Sequence, residues 1–385
     1  MDLTPSPDAD LGSHPFSKKE LTPALNPPVR VLVLAGGGLS HVSGGVGTLV
    51  QYLLDSWAGR DDAPVVQVID TRGAGGRFGG AWCFAAAFWV LTVQCARKRV
   101  DLVHVHMTTR GSVVRKCLFC VWAGLLGVPV VVHMHGADFF DFFARLPRFW
   151  QRAVGRVLRG AACVIVLGRA WRDRLALACA VDPARIRIVI NGVKAPEVLV
   201  PKAEGAAVHI LFLGRIGARK GVPELLEALS QLSREGWHAT IAGDGEAGGF
   251  CAQAERLGLQ DRVAWPGWAS RAQADALLEA ADILVLPSHH EALPMAVLEA
   301  LARAIPVVVT PVGAIAEFLT DDVDALLVPP GAPAPLAAAL ARLIGDAAAR
   351  ARIGQAGRAV FDRHLDIGVT AEGVLAIYRE ASQAA

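Results

Sequence analysis

Apolar residues fall into two patterns along this chain. Short, nearly unbroken apolar runs alternate with longer segments in which apolar positions recur every three or four residues. The first pattern predicts buried strands and the second amphipathic helices. Strands are predicted at RVLVLAGG, PVVQVID, DLVHVHM, PVVVHMHG, CVIVLG and RIRIVING, with helical runs between them. An irregular stretch, GVKAPEVLVPKAEGAA, then breaks the alternation. It resumes with strands at HILFLGR, HATIAGDG, RVAWPGW, DILVLPS and IPVVVTPVG, and after ALLVPPG closes on helices from Pro335 onward. Strand–helix alternation of this kind builds parallel sheets covered by helices. The expected architecture is therefore α/β, with two Rossmann-like domains facing across a cleft. The expected segments are a loose tail (1–28), a first domain (29–192), a linker (193–207) and a second domain (208–360). A C-terminal helix (361–385) returns to the first domain.

Composition supports two folded cores and little else. The chain has 385 residues, 53% of them hydrophobic and 19% charged, which is ample for two domains. A net charge of +2 gives no global pull toward nucleic acid. Seven cysteines, single except for Cys117 and Cys120 in an apolar helical run, read as buried thiols in a reducing compartment. The polar, proline-rich opening does not have the pattern of a secretory leader. No apolar run reaches the about 20 residues of a bilayer span. The nearest, Ala81 to Val93, is followed by Arg97, Lys98 and Arg99, and has the size of a buried helix or a segment lying on a membrane.

Four clusters fall where strands give way to helices. Gly44-Gly45-Val46-Gly47 precedes a helical run from Thr48, where glycine lets backbone approach a phosphate; a tight turn is the competing reading. LGRIGARKG carries Arg215 and Lys220 on one loop, a planar fork and a point charge able to converge on a diphosphate. His104 and His106, and likewise His133 and His135, share strand faces. Four histidines raise the question of a metal, but no third-ligand spacing recurs, and no metal or cofactor is expected. His135, beside Gly136 and three residues before Asp138, is the one placed to hold or exchange a proton. In HHEALPMAVLEA, Glu291 stands on the loop before a helix that Pro294 begins and Glu299 lies inside. The acidic Asp322–Asp324 turn reads as solvated.

In this order, an early glycine loop, His-Gly, G-R-x-x-x-x-K-G, G-D-G and E-x-L-P-x-x-x-x-E, the chain resembles the family 4 retaining glycosyltransferases of the two-domain GT-B fold. The resemblance runs from about Val29 to the C-terminus. It implies that Arg215 and Lys220 grip the donor diphosphate and stabilise the leaving group without a metal. It implies that Glu299 binds the ribose. Glu291 and the backbone of Ala292, Leu293 and Met295 face the transferred sugar, and Gly45 and Val46 close on the phosphates. His135 bonds the sugar, and Gly243 and Gly267 lie toward the base. Ala292 stands where the family usually has glycine, a methyl that narrows the sugar pocket.

The acceptor side carries its own signal. Arg110, Arg115 and Lys116 follow a first-domain strand, as in enzymes that build bacterial exopolysaccharide on polyprenyl-diphosphate lipids, including mannosyltransferases using GDP-mannose. With Asp138 they are the expected acceptor contacts. Arg145, Arg148, Arg152, Arg156 and Arg159 recur at helical spacing, and residues 101–160 hold eight Lys/Arg against three Asp/Glu. Such a basic face is drawn to anionic lipid, which predicts a cytoplasmic protein bound peripherally to the inner membrane face. The expected partners are GDP-mannose or a UDP-sugar, a polyprenyl-diphosphate-linked glycan and the membrane surface. The alternatives are a UDP-sugar enzyme with another acceptor, and a GT-B-like nucleotide-sugar epimerase.

Overall fold

The computed structural model describes residues 28–36, 45–73, 77–199 and 207–383. Most of the expected N-terminal tail, Gly44 and residues 200–206 of the linker lie outside them. Every strand named from the pattern is present. The first sheet holds β1 (Arg30–Ala35), β2 (Val65–Asp70), β3 (Leu102–Met107), β4 (Val130–Met134), β5 (Cys163–Val166) and β6 (Ile186–Ile188). The second holds β7 (Val208–Leu213), β8 (Trp237–Ala242), β9 (Val263–Gly267), β10 (Ile283–Leu286), β11 (Val307–Val309) and β12 (Leu326–Leu327). Both are parallel, in the orders β2-β1-β3-β4-β5-β6 and β12-β11-β10-β7-β8-β9. β3, β4 and β5 are buried along their whole length, because helices cover both faces and leave no solvent side for polar residues. Edge strand β2 is only partly covered.

The first sheet is dressed by α1 (Gly45–Trp57), α2 (Arg77–Ala96), α3 (Gly111–Leu125), α4 (Phe139–Arg145), α5 (Arg148–Gly160) and α6 (Arg169–Cys179). The second carries α7 (Val222–Ser230), α8 (Gly248–Arg256), α9 (Arg271–Ala280), α10 (Met295–Leu301), α11 (Pro333–Gly345) and α12 (Ala347–His364). The last helix, α13 (Ile367–Gln383), packs on α1, β3 and β4 of the first domain. It is pinned there by Arg379–Asp62 at 2.8 Å and Arg60–Glu372 at 2.6 Å.

Strand order reverses at β1 and at β7, and in such sheets the crevice for a ligand opens beyond the carboxyl ends of the strands. Loops leaving those ends bring the domains together. Ala137, just after β4, and Tyr52 of α1 pack against the second domain's core. Glu317, after β11, accepts hydrogen bonds from the backbone N–H groups of Arg169 (2.6 Å) and Ala170 (3.0 Å) at the start of α6. There a carboxylate meets the unpaired amides and positive end of the helix dipole.

Three helix expectations change. α1 starts at Gly45, not Thr48, so Gly45, Val46 and Gly47 form its first turn rather than a loop before it. Pro147 separates α4 from α5, since its ring cannot continue a helix, and Arg145 falls on the shorter one. The arginine stripe is carried by Arg148, Arg152, Arg156 and Arg159, all exposed. α2 is longer than the apolar run from which it was read. By length and composition its Gly79–Ala96 segment is sufficient to cross a membrane, yet only 17% of that segment is buried. The run is therefore buried along one face only, where Ala87, Leu91 and Cys95 join the first domain's core, and its other face is exposed.

Candidate active site

The loop after β7 is pressed onto the segment after β10. Gly221 has φ +74°, and a Cβ there would lie 2.0 Å from the Pro287 carbonyl oxygen, so only glycine permits this approach. His289 N–H donates to the Arg219 carbonyl at 2.9 Å, and Arg219 Nη1 donates to the His290 carbonyl at 2.9 Å. Held in this way, Lys220 Nζ donates to Glu291 Oε1 in an ion pair whose side chains are 14% and 8% exposed. The same oxygen accepts from Ser288 Oγ at 2.8 Å, and the Ser288 carbonyl accepts from Thr310 Oγ1 at 2.5 Å. A cation and a carboxylate thus stand together at the carboxyl ends of β7 and β10. Arg215, on the same loop, is exposed and has no side-chain partner among the described residues.

Pro294 immediately precedes α10, as its missing N–H favours, and Met295 is the first helical residue. Ala292 and Leu293 are buried in the second core. Their turn is set by Gly313, at φ +64° with the Glu291 and Ala292 carbonyls against it, and by Ala314 N–H donating to the Ala292 carbonyl at 2.9 Å. The Ala292 methyl is therefore packed in the core.

Glu299 belongs to a different cluster from Lys220 and Glu291. Its Oε1 takes an ion pair from Arg271, and Tyr52 OH lies 3.4 Å away. Asp275 bridges Arg271 (2.5 Å) and Arg303 (2.6 Å), and Arg303 Nη1 also reaches the Glu299 carbonyl at 3.1 Å. Burial raises the Glu299 pKa, against the pull of Arg271. Convergence of Arg215, Lys220, Glu291 and Glu299 was expected; Lys220 pairs with Glu291, and Glu299 with Arg271. Sequence reading missed Arg271 and Tyr52. Neither lies in a recognisable motif, and only the folded chain brings residue 52 to residue 299.

Across the cleft, Gly45 and half-buried Val46 open α1. A Cβ on Gly45 would touch Met295 Cγ at 3.0 Å, so the first turns of α1 and α10 abut. His135 follows β4, its N–H bonded to the Met107 carbonyl at 2.8 Å and its Nε2 2.9 Å from His106 Nδ1. Desolvation lowers its pKa to about 3, which keeps the ring neutral, a hydrogen-bonding group rather than a cation. Gly136 is pressed against Thr108 and Thr109, leaving no room for a side chain. Gly243 lies against the Gly214 carbonyl, at 1.8 Å from where a Cβ would be, and donates to the Gly267 carbonyl at 2.8 Å. The neighbouring Trp268 indole is exposed.

The expected acceptor residues divide. Arg110 is exposed at the start of α3, and Arg115 and Asp138 are half-buried. Lys116 is a correction. It is 1% exposed and points inward, donating to the Leu34 carbonyl at 2.7 Å and Thr71 Oγ1 at 2.8 Å. It lies on the inner face of α3, turned toward the sheet, and cannot meet an acceptor there. Burial lowers its pKa to about 7. The Asp322–Asp324 turn is solvated only in part: Asp322 is exposed and bonded to Arg342 and Arg352, whereas Asp324 is buried and accepts from the Thr320 N–H at 2.7 Å.

Comparison with known proteins gives the geometry its setting. The family described as Glycosyl transferases group 1 matches residues 201–360, and the Glycosyl transferase 4-like domain matches residues 27–192. The chain is similar to the alpha-D-kanosaminyltransferase of Streptomyces kanamyceticus (27% identity, covering 79% of this chain and 85% of the relative). It is also similar to the D-inositol 3-phosphate glycosyltransferase of Kineococcus radiotolerans (30%, 78% and 76%). A third relative is the GDP-mannose:cellobiosyl-diphosphopolyprenol alpha-mannosyltransferase of Xanthomonas campestris (31%, 56% and 57%). In fold it matches the Anabaena HepE structure solved with UDP-glucose, with a TM-score of 0.70 at 20% identity over 90% of this chain and 98% of the other. Two parallel α/β domains, a cation–carboxylate pair beyond the strand ends and these matches together place the chain among the group 1 and 4-like glycosyl transferases, enzymes of the GT-B fold that transfer sugars.

Proposed function

We propose that this chain moves a hexose, with retention, from a nucleotide sugar onto a lipid-linked oligosaccharide at a membrane face. The observation that carries the reading is the Lys220–Glu291 pair, with unpartnered Arg215 on the same loop. In this reading an arriving diphosphate draws Lys220 away from Glu291 and toward its own charge, with Arg215 as a second clamp. Both cations then stabilise the developing negative charge on the leaving nucleotide, without a metal. Glu291, released, accepts hydroxyls of the transferred sugar. Glu299 takes the ribose, and neutral His135 bonds the sugar from the other domain. Trp268 offers a ring face to the base. GDP-mannose is the favoured donor, supported by the Xanthomonas relative's name, and a UDP-sugar is the competitor.

The membrane part rests on one face of the first domain. Trp82, Ala85, Ala86 and Trp89 form an exposed stripe on α2 at helical spacing. Val114, Leu118, Val121 and Leu125 form a second on neighbouring α3, and Phe149 and Trp150 of α5 add to it. An apolar groove of about 300 Å³ lies between α2 and α3. Exposed indoles and aliphatics on this scale mark an interaction surface. Exposed Arg148, Arg152 and Arg156, with no ion pair among the described residues, suit anionic lipid. The test has two arms. Donor consumption with polyprenyl-diphosphate oligosaccharide is measured for GDP-mannose and UDP-sugars, and no turnover of any pair refutes the transfer reading. Sedimentation with phosphatidylglycerol vesicles is measured for the wild type and for Trp82→Ser/Trp89→Ser. Equal or absent binding refutes the membrane reading.

A further inference from the structure

β3 and β4 lie side by side in the first sheet, with His106 in register with His133 and His104 with Val131. Strand periodicity turns the side chains of His104, His106, His133 and His135 to one face. α13 covers it, with Tyr378 OH 2.6 Å from His104 Nδ1. His104, His106 and His133 are buried, and their ligand nitrogens lie within 4.8 Å of one another.

The hydrogen-bond accounting of this cluster does not close. His104 Nδ1 is taken by Tyr378 and His106 Nδ1 by His135 Nε2. The Nε2 atoms of His104 and His106 and both ring nitrogens of His133 are buried with no hydrogen-bond partner among the described residues. A buried polar group left unsatisfied is costly, so each of these nitrogens calls for a partner. The pattern is that of metal-binding histidine. In His104 and His106 one ring nitrogen is fixed by an outer partner, which sets the tautomer, and the other is free to present its lone pair to a metal; His133 has neither ring nitrogen taken among the described residues and offers either one.

We propose that His104, His106 and His133 bind a borderline-soft transition-metal dication of the zinc class, completed by a water-derived ligand. An all-imidazole set suits zinc, cobalt, nickel or copper and disfavours magnesium or calcium, which require oxygen. Metal–nitrogen distances of about 2.0–2.1 Å bring ligands to roughly 3.4 Å apart in tetrahedral geometry, within reach of ring rotation. In this arrangement His104 Nδ1–H donates to Tyr378 and His106 Nδ1–H donates to His135 Nε2. His135 is thereby left with its Nδ1–H as donor. The site ties α13 to the sheet and orients His135; the diphosphate chemistry stays with Arg215 and Lys220.

The full chain, stripped with chelator and dialysed against Zn²⁺ or Co²⁺, is assayed for metal by mass spectrometry, and the cobalt form for the visible bands of a four-coordinate site. The wild type should retain close to one equivalent, show those bands and melt higher with Zn²⁺ than with chelator. Tyr378→Phe should weaken binding about 10-fold or more through loss of the outer partner. His133→Leu should lose both metal and bands, whereas His135→Asn, like Tyr378→Phe, should weaken binding while the metal-loaded form keeps its bands; His106→Gln stands in should His133→Leu fail to fold. No uptake by the wild type, in which case buried water satisfies the nitrogens, overturns the proposal, as does equal uptake by the His133 and His106 variants.

Discussion

Replacing Gly221 by alanine tests how the loop geometry makes the site. At φ +74° an L-residue is strained by about 1–2 kcal/mol. The added Cβ would stand 2.0 Å from the Pro287 carbonyl oxygen, where carbon contacts are comfortable only from about 3.5 Å. The two segments must therefore part by more than an ångström. They are the segments that carry Lys220 and Glu291. The expected stability loss is roughly 2 kcal/mol or more. Misplacement on this scale costs on the order of 10²-fold in rate. Gly217 is the control on the same loop: its φ of 168° is ordinary extended backbone, and a Cβ there meets nothing within 4 Å. Urea midpoints and donor turnover of Gly221→Ala and Gly217→Ala are compared with the wild type. Should Gly221→Ala match the wild type in both, or Gly217→Ala suffer equally, the argument that the Gly221–Pro287 contact sets the Lys220–Glu291 geometry is wrong.

Two further outcomes follow from the same structure. Lys220→Ala leaves the nearly buried Glu291 without its cation and should lower kcat/KM by on the order of 10²–10³-fold, whereas Arg219→Ala, which removes one of the hydrogen bonds holding the loop and no charge from the pair, should cost less; steady-state donor turnover checks both. Lys116, with its pKa lowered to about 7 by burial, binds fewer protons folded than unfolded between pH 7 and about 10.5, so its contribution to stability rises with pH in that window. From pH 7 to 9 the gain should be about 2 kcal/mol. Urea titrations should show this slope flattened in Lys116→Met, and an unchanged slope would mean that the buried amine does not titrate there.

The two-sheet α/β organisation was legible in the residue order because parallel strands buried on both faces must be written as apolar runs. Eleven of the twelve strands are legible as such runs, and the two-residue β12 is too short to carry the pattern. The cation–carboxylate site was legible for a related reason. Arg215, Lys220 and Glu291 sit on short loops fixed to strand ends by Gly221 and Pro294, so local spacing already limits where their side chains go. Tertiary packing alone decided the rest. Lys116 and Arg115 are adjacent in the chain, but helix α3 turns the lysine into the core while leaving the arginine half-buried. α2 has the composition of an interior helix but buries only one face, leaving Trp82 and Trp89 exposed on the other. Glu299 meets Arg271 because α9 and α10 come together within the second domain, it meets Tyr52 only because the two domains close face to face, and the four histidines share one buried face only because β3 and β4 pair in register. Contacts of this kind join residues far apart in the chain, where neither periodicity nor spacing carries any trace of them.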